Sequence, residues 1–187
     1  MKHSGKIVIN LHTHLPYVLH HGDWPHGSDW LCEAVAECYL PLLTMCHELI
    51  ADGITPNLSL DISPILCEQL EHPDFAPIFI EYCNTKMALA LKDAEKFIAM
   101  KADPHQVCLA HYWHEWYLRR QYEFEHSYNY SIIESFKKLQ RHVLPKLLSN
   151  LLTQSRVTKK SLLSQRLLEM LKKHLKLANL LQLARCG

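Results

Sequence analysis

Residues 6–17 read KIVINLHTHLPY, and this run constrains the fold more than any other segment. Its apolar, β-branched start shows no strict alternation, which suits a strand buried on both faces of a parallel sheet, and Pro16 stops it. The stretch HHGDWPHGSDW (20–30) holds two of the chain's five glycines and a proline, and reads as a loop rich in polar and aromatic groups. In WLCEAVAECYLPLLTMCHELIADG (30–53) apolar residues recur at three and four. That predicts a helix, capped by Ser28 or Asp29 and stopped at Gly53. A second strand is expected around Asn57–Leu60, and a helix after Pro64, a residue suited to a first helical turn. Strand, loop, helix, strand and helix within the first 72 residues argue for an α/β fold built from βαβ units.

From about 77 to 140 no strand is evident. FIEYCNTKMALALKDAEKFIAM and VCLAHYWHEWYLRRQYEFEHSYNYSIIESFKKLQ predict two or three long amphipathic helices, a helical insertion after the second strand. At Arg141 the composition breaks. The last 47 residues contain no Tyr, Trp or Phe and a single acid, Glu169, amid many Leu, Lys, Arg and Ser. The spacing in 162–184 fits a basic amphipathic helix, which either docks its leucine face on a core or binds a partner or membrane surface.

The net charge is +1, so no global basic field draws the chain to nucleic acid. Seven cysteines are scattered without a CxxC pair, which excludes a zinc ribbon and gives no disulfide framework. Cys38 and Cys67 lie in apolar patterns that predict small buried hydrophobes. The N-terminal apolar run is too short for a signal peptide, and no stretch approaches about 20 uninterrupted apolar residues. A soluble, reduced, cytoplasmic protein with no membrane partner is expected.

His12 and His14 stand two apart in the first strand and therefore share a face. Pro16 puts them near its C-terminal end, where parallel α/β sheets bind ligands. They are either site residues or histidines bonded to loop backbone, and a metal would need a third ligand such as Asp61. The 20–30 loop adds His20, His21, Asp23, Trp24, His26, Asp29 and Trp30, a mixture that suits a sugar, since ring faces pack on C–H surfaces while polar groups take hydroxyls. HYWHEWYLRRQYEFEH (111–126) lacks the i, i+4 histidine pair of a metalloprotease helix. It reads as a helix with an aromatic face to the core and Arg119, Arg120, Glu123 and Glu125 toward solvent or each other. There is no P-loop, GxGxxG, GxSxG or CxxC, so no cofactor is expected.

Three blocks, INLHTHLPYV, WPHGSDWLCEAVAECYLPLL and LSLDISPILCEQL, in this order and spacing, resemble the N-terminal part of glycoside hydrolase family 57, in particular its 1,4-α-glucan branching enzymes and amylase-like members. The likeness runs from about Lys6 to Gln140. It implies that residues 1–140 are part of a pseudo-TIM barrel of seven β/α units, supplying the first two strands and a helical segment. It implies α-glucan (glycogen, starch or maltooligosaccharide) as partner, handled by retaining chemistry with a glutamate nucleophile and an aspartate acid/base about 5–5.5 Å apart. The family's His-x-His-Leu-Pro segment lines the sugar site, which carries over to His12 and His14. Trp24 matches the tryptophan of its WP loop, and Glu68 matches a glutamate to which no role is assigned.

Two departures follow from the same resemblance. Where such enzymes read LGITP this chain reads LDISP, so Asp61 brings a charged side chain where a glycine was expected. After Gln140 the family's third strand and the strands carrying both catalytic carboxylates are not recognisable. Residues 141–187 read as a tail foreign to the family, as a shifted frame or misjoined gene would produce. The expectation is a truncated member, with a helical or disordered tail and no catalytic residues or activity of its own. The alternative is a non-catalytic binding or interaction protein using the aromatic loop or the basic helix. A weaker third reading is a metal-dependent hydrolase built on His12, His14 and Asp61.

Overall fold

A computed structural model of the protein describes residues 9–56 and 58–153. The described residues are mostly helical, with a small two-stranded parallel sheet: β1 (Ile9–Thr13), α1 (Ser28–Ala34), a π turn (Val35–Tyr39), α2 (Leu40–Ala51), β2 (Leu58–Ile62), α3 (Pro64–Glu71), α4 (Phe75–Ala99), α5 (Pro104–Tyr122), a second π turn (Glu123–Ser127) and α6 (Ile132–Thr153). The described residues form two compact units. One comprises β1, Pro41–Ile62 and the chain from Ser135; the other comprises His14–Leu40 and Ser63–Glu134.

In the first unit β1 and β2 pair in parallel, with Ile9 opposite Leu58 and His12 opposite Asp61. Both strands form about where the sequence placed them, β2 running two residues beyond Leu60. β1 closes at Thr13, however, short of Pro16, and it is not buried on both faces: Ile9, Leu11 and Thr13 are half-buried while Asn10 and His12 are exposed. β2 repeats this pattern, with Ser59 and Asp61 exposed. The pair thus presents one polar row, because in a parallel ladder opposed residues point to the same side. The unit's apolar interior includes Leu43, Cys46, Leu49, Phe136 and Val143.

In the second unit α4 and α5 form an αα-hairpin whose connection is local chemistry. Lys101 adopts a left-handed φ of 52°, and its amide and that of Ala102 bond back to Ile98 and Phe97. Asp103 then caps α5 by accepting the His105 amide at 2.8 Å, and Pro104 starts the helix. Phe75, Phe79 and Phe124, each almost wholly buried, pack ring to ring with centroids 4.7–5.9 Å apart and form the aromatic centre. α3 starts as expected, with the Ser63 hydroxyl accepting the Leu66 amide and Pro64 in the first turn.

Two expectations are corrected. α1 is capped by Gly27 and by no side chain, because the Ser28 hydroxyl is turned back to the Gly22 carbonyl (3.3 Å) and the Asp23 carboxylate (3.4 Å). Cys38 is exposed and Cys67 half-buried; among the described residues the buried thiols are Cys32, Cys46 and Cys83. Arg120 and Glu123 do bond to each other, at 2.7 Å, one of the two arrangements the sequence allowed, and the pair is mostly buried. Ser28–Ala51 is long and apolar enough to cross a membrane by length and composition, yet Leu31, Val35, Leu43 and Leu49 on it are fully buried in the protein. α6 continues through the composition break at Arg141 to Thr153. The basic helix expected over 162–184 lies outside the described residues.

Candidate functional site

At the C-terminal end of the strand pair, Nδ1 of His12 lies 2.7 Å from Oδ2 of Asp61, and the Thr13 hydroxyl donates to the Asp61 carbonyl at 2.9 Å. Parallel register accounts for this contact, since His12 and Asp61 are direct partners on the exposed face. The carboxylate that replaces the expected glycine thus meets an imidazole and strains no backbone. Both side chains remain more than 60% exposed, so the pair is open to a ligand.

His14 lies one residue past β1, exposed, where the strand argument for a face shared with His12 no longer applies. It begins a segment that sequence reasoning did not recognise as anchored. Gln69, fully buried on α3, accepts the amides of Val18 (2.7 Å) and Leu19 (3.1 Å) through Oε1, and donates Nε2 to the Pro16 carbonyl at 3.0 Å. One side chain therefore satisfies three backbone groups of the segment that follows the histidines. Its only sequence signal is a glutamine amid the apolar positions of PILCEQL.

The loop bearing Trp24 is closed by its own backbone. The Gly22 carbonyl accepts the Ser28 amide at 2.9 Å, and the Asp23 carbonyl accepts those of Gly27 (3.1 Å) and Asp29 (3.2 Å). Gly27 is required there, because a β-carbon on it would overlap the Gly22 carbonyl. Trp24, joined to Pro25 by a cis bond, stands 80% exposed at the outer edge. Trp30 is partly exposed, with its ring 5.7 Å from that of His26. Beneath the loop a cavity of about 550 Å³ is lined by His20, Asp23, Asp29, Glu81, Tyr82 and Lys86 among others. The Lys86 ammonium sits 4.9 Å above the Tyr82 ring. The α4 residues of this lining carried no signal in the sequence beyond helix periodicity. Glu68 is exposed on α3.

Among the expected site residues, His12 belongs to the first unit, and His14 and Trp24 to the second. The first unit offers the exposed His12 imidazole with its Asp61 partner, and the second offers an acid-lined cavity and the exposed Trp24 indole.

These features accord with what the chain is similar to. Over about 72% of its length, its homologues and structural neighbours are glycoside hydrolase family 57 enzymes: branching enzymes and an α-amylase. A 1,4-α-glucan branching enzyme of Thermococcus kodakarensis is 31% identical over 137 residues, which are 73% of this chain and 19% of that protein. The crystal structure of a branching enzyme of this type from Pyrococcus horikoshii superimposes with a TM-score of 0.66 at 32% identity, over 72% of this chain and 24% of that one. The α-amylase AmyC of Thermotoga maritima does so with a TM-score of 0.64 at 34% identity, over 74% and 26% of the two chains. The chain thus spans about a fifth to a quarter of the length of these relatives. No family model matches it.

Proposed function

We propose that this chain is carbohydrate-binding and supplies part of an α-glucan cleft, with β1 and β2 as the first two strands of a pseudo-TIM barrel and with His12, His14 and Trp24 as sugar contacts. The observation that carries the reading is Trp24, 80% exposed on a loop fixed by its own backbone bonds, so that an indole face is held toward solvent at little entropic cost. An aromatic face stacks on the C–H side of a glucose unit, while imidazoles take its hydroxyls. The 31% identity to a 1,4-α-glucan branching enzyme supports an α-glucan as the ligand.

Retaining chemistry needs two carboxylates about 5–5.5 Å apart across the scissile bond. By the family resemblance these reside on strands beyond those recognisable here, so the chain binds glucan without turning it over. The free thiols support a reducing, cytoplasmic setting.

Titration calorimetry of the full chain with maltoheptaose, alongside an amylose assay following iodine absorbance and reducing ends, tests both parts. Expected are saturable binding that Trp24→Ala weakens by about tenfold, and no turnover. Binding unaffected by Trp24→Ala sinks the proposed contact, and clear turnover sinks the proposed inactivity.

A further inference from the structure

Away from His12 and Trp24, a second set of groups converges where the loop before Gly22 meets the α3–α4 turn. His20, His72 and Asp74 each offer one ligand atom, and these atoms all lie within 4.8 Å of one another. His20 Nε2 lies 3.5 Å, and His72 Nδ1 3.8 Å, from Oδ2 of Asp74. We propose that these three side chains bind a divalent transition-metal ion of the zinc type.

The spacing fits. Metal–ligand bonds of about 2.0–2.2 Å at a tetrahedral angle separate neighbouring ligand atoms by roughly 3.3 Å. Two of the three separations are within about half an ångström of that value, and small side-chain rotations close the rest. Two imidazoles with one carboxylate form a borderline-soft donor set of the kind zinc takes, with the fourth position left to water. Calcium and magnesium favour oxygen donors alone.

The local backbone arranges this set. Asp74 caps α4 by position but makes no side-chain capping bond, so its carboxylate faces the imidazoles instead. Its own amide donates to His72 Nδ1 at 3.2 Å, which keeps that ring edge against Asp74. A cation bound at Nδ1 replaces this amide contact, which at 3.2 Å is a long one. The positive end of the α4 dipole opposes a cation here, and the Asp74 charge offsets it. His20 is held in a left-handed conformation, φ 68°, directly after the two amides fixed by Gln69. His72 terminates the same helix that carries Gln69. One short helix therefore sets both histidines, and their rings meet edge to face at 5.2 Å. All three side chains are between a third and two thirds exposed, so an ion reaches them from solvent.

Zinc titration of the full chain against a chromophoric chelator tests the site. Expected is one ion bound in the micromolar range or tighter. Asp74→Asn and His20→Ala should each weaken it by at least about tenfold, while His111→Gln on α5 leaves it unchanged. Asn preserves the helix-capping residue type, and far-UV circular dichroism verifies that the variants fold. With Co²⁺, the visible ligand-field bands of the full chain should be lost in Asp74→Asn. No saturable binding, or binding that stays within twofold in both variants, overturns the proposal.

Discussion

His12 and Asp61 occupy directly opposed positions of a two-stranded parallel sheet, and their side chains meet at 2.7 Å on its exposed face. Because both are mostly open to water, the contact contributes little to stability, about 0–1 kcal/mol, and salt screens it. Asp61→Ala should lower the unfolding free energy by less than about 1 kcal/mol, a difference that shrinks further in molar salt. Urea denaturation at low and high ionic strength measures it. A loss well above that range would show that the pair is structural rather than available to a ligand.

Gln69 holds the segment after His14 by three hydrogen bonds from a fully buried amide. Gln69→Leu keeps the volume but leaves two amides and a carbonyl without their partner, at about 1–3 kcal/mol for each buried group so stranded. A loss of roughly 3 kcal/mol or more is expected, against less than about 0.5 kcal/mol for Glu68→Gln on the exposed side of α3. Equilibrium unfolding of both variants decides. If the metal reading is right, Gln69→Leu also weakens zinc, since His20 loses its anchored approach.

Elements whose signals are local were legible in the sequence. Ser63–Pro64 predicts the start of α3, the apolar run ahead of Pro16 predicts β1, and the LSLDI stretch predicts a strand in about the right place. What was not legible depends on pairs distant in the chain. Asp61 read as a spare carboxylate or a lost glycine, and only strand register reveals its imidazole partner. Gln69 and Arg120 read as ordinary polar positions on amphipathic helices, because their burial is decided by what packs over them. His20, His72 and Asp74 come from segments that periodicity treats as unrelated turns. The likeness to family 57 was legible because three blocks in order are a stronger signal than any single motif.

Arg120 and Glu123 form an inward ion pair, 8% and 14% exposed, with the guanidinium 5.4 Å from the Trp116 ring and its Nε without a hydrogen bond. Burial holds the Arg120 guanidinium below its ordinary pKa, and Glu123 pulls it back up. Truncating one member strands the other charge, so Glu123→Ala should cost about 3–5 kcal/mol. The double variant Arg120→Met/Glu123→Leu should cost at least about 1 kcal/mol less than the sum of its single changes. A double-mutant cycle by urea denaturation measures this coupling, and simple additivity would contradict it.

The buried thiols give the last prediction. Burial pushes Cys46 from 9.0 up to about 12; burial and then Glu125 do the same for Cys83, against the lowering effect of Arg120. A folded-state pKa above the unfolded one means that the native protein keeps protons which the unfolded chain releases. Their contribution is fully present below pH 9 and is lost as pH rises through about 12. Each such thiol should remove roughly 1.4 kcal/mol per pH unit within that window. Urea midpoints at pH 8 and at about pH 10 should therefore fall apart by more than midpoints at pH 7 and 8. Timed alkylation with mass-spectrometric mapping gives the companion test. Cys38 and Cys108, both exposed, should label first, and Cys32, Cys46 and Cys83 only once the chain is unfolded. Early labelling of Cys46 or Cys83 in native protein would contradict the burial from which the alkaline loss is derived.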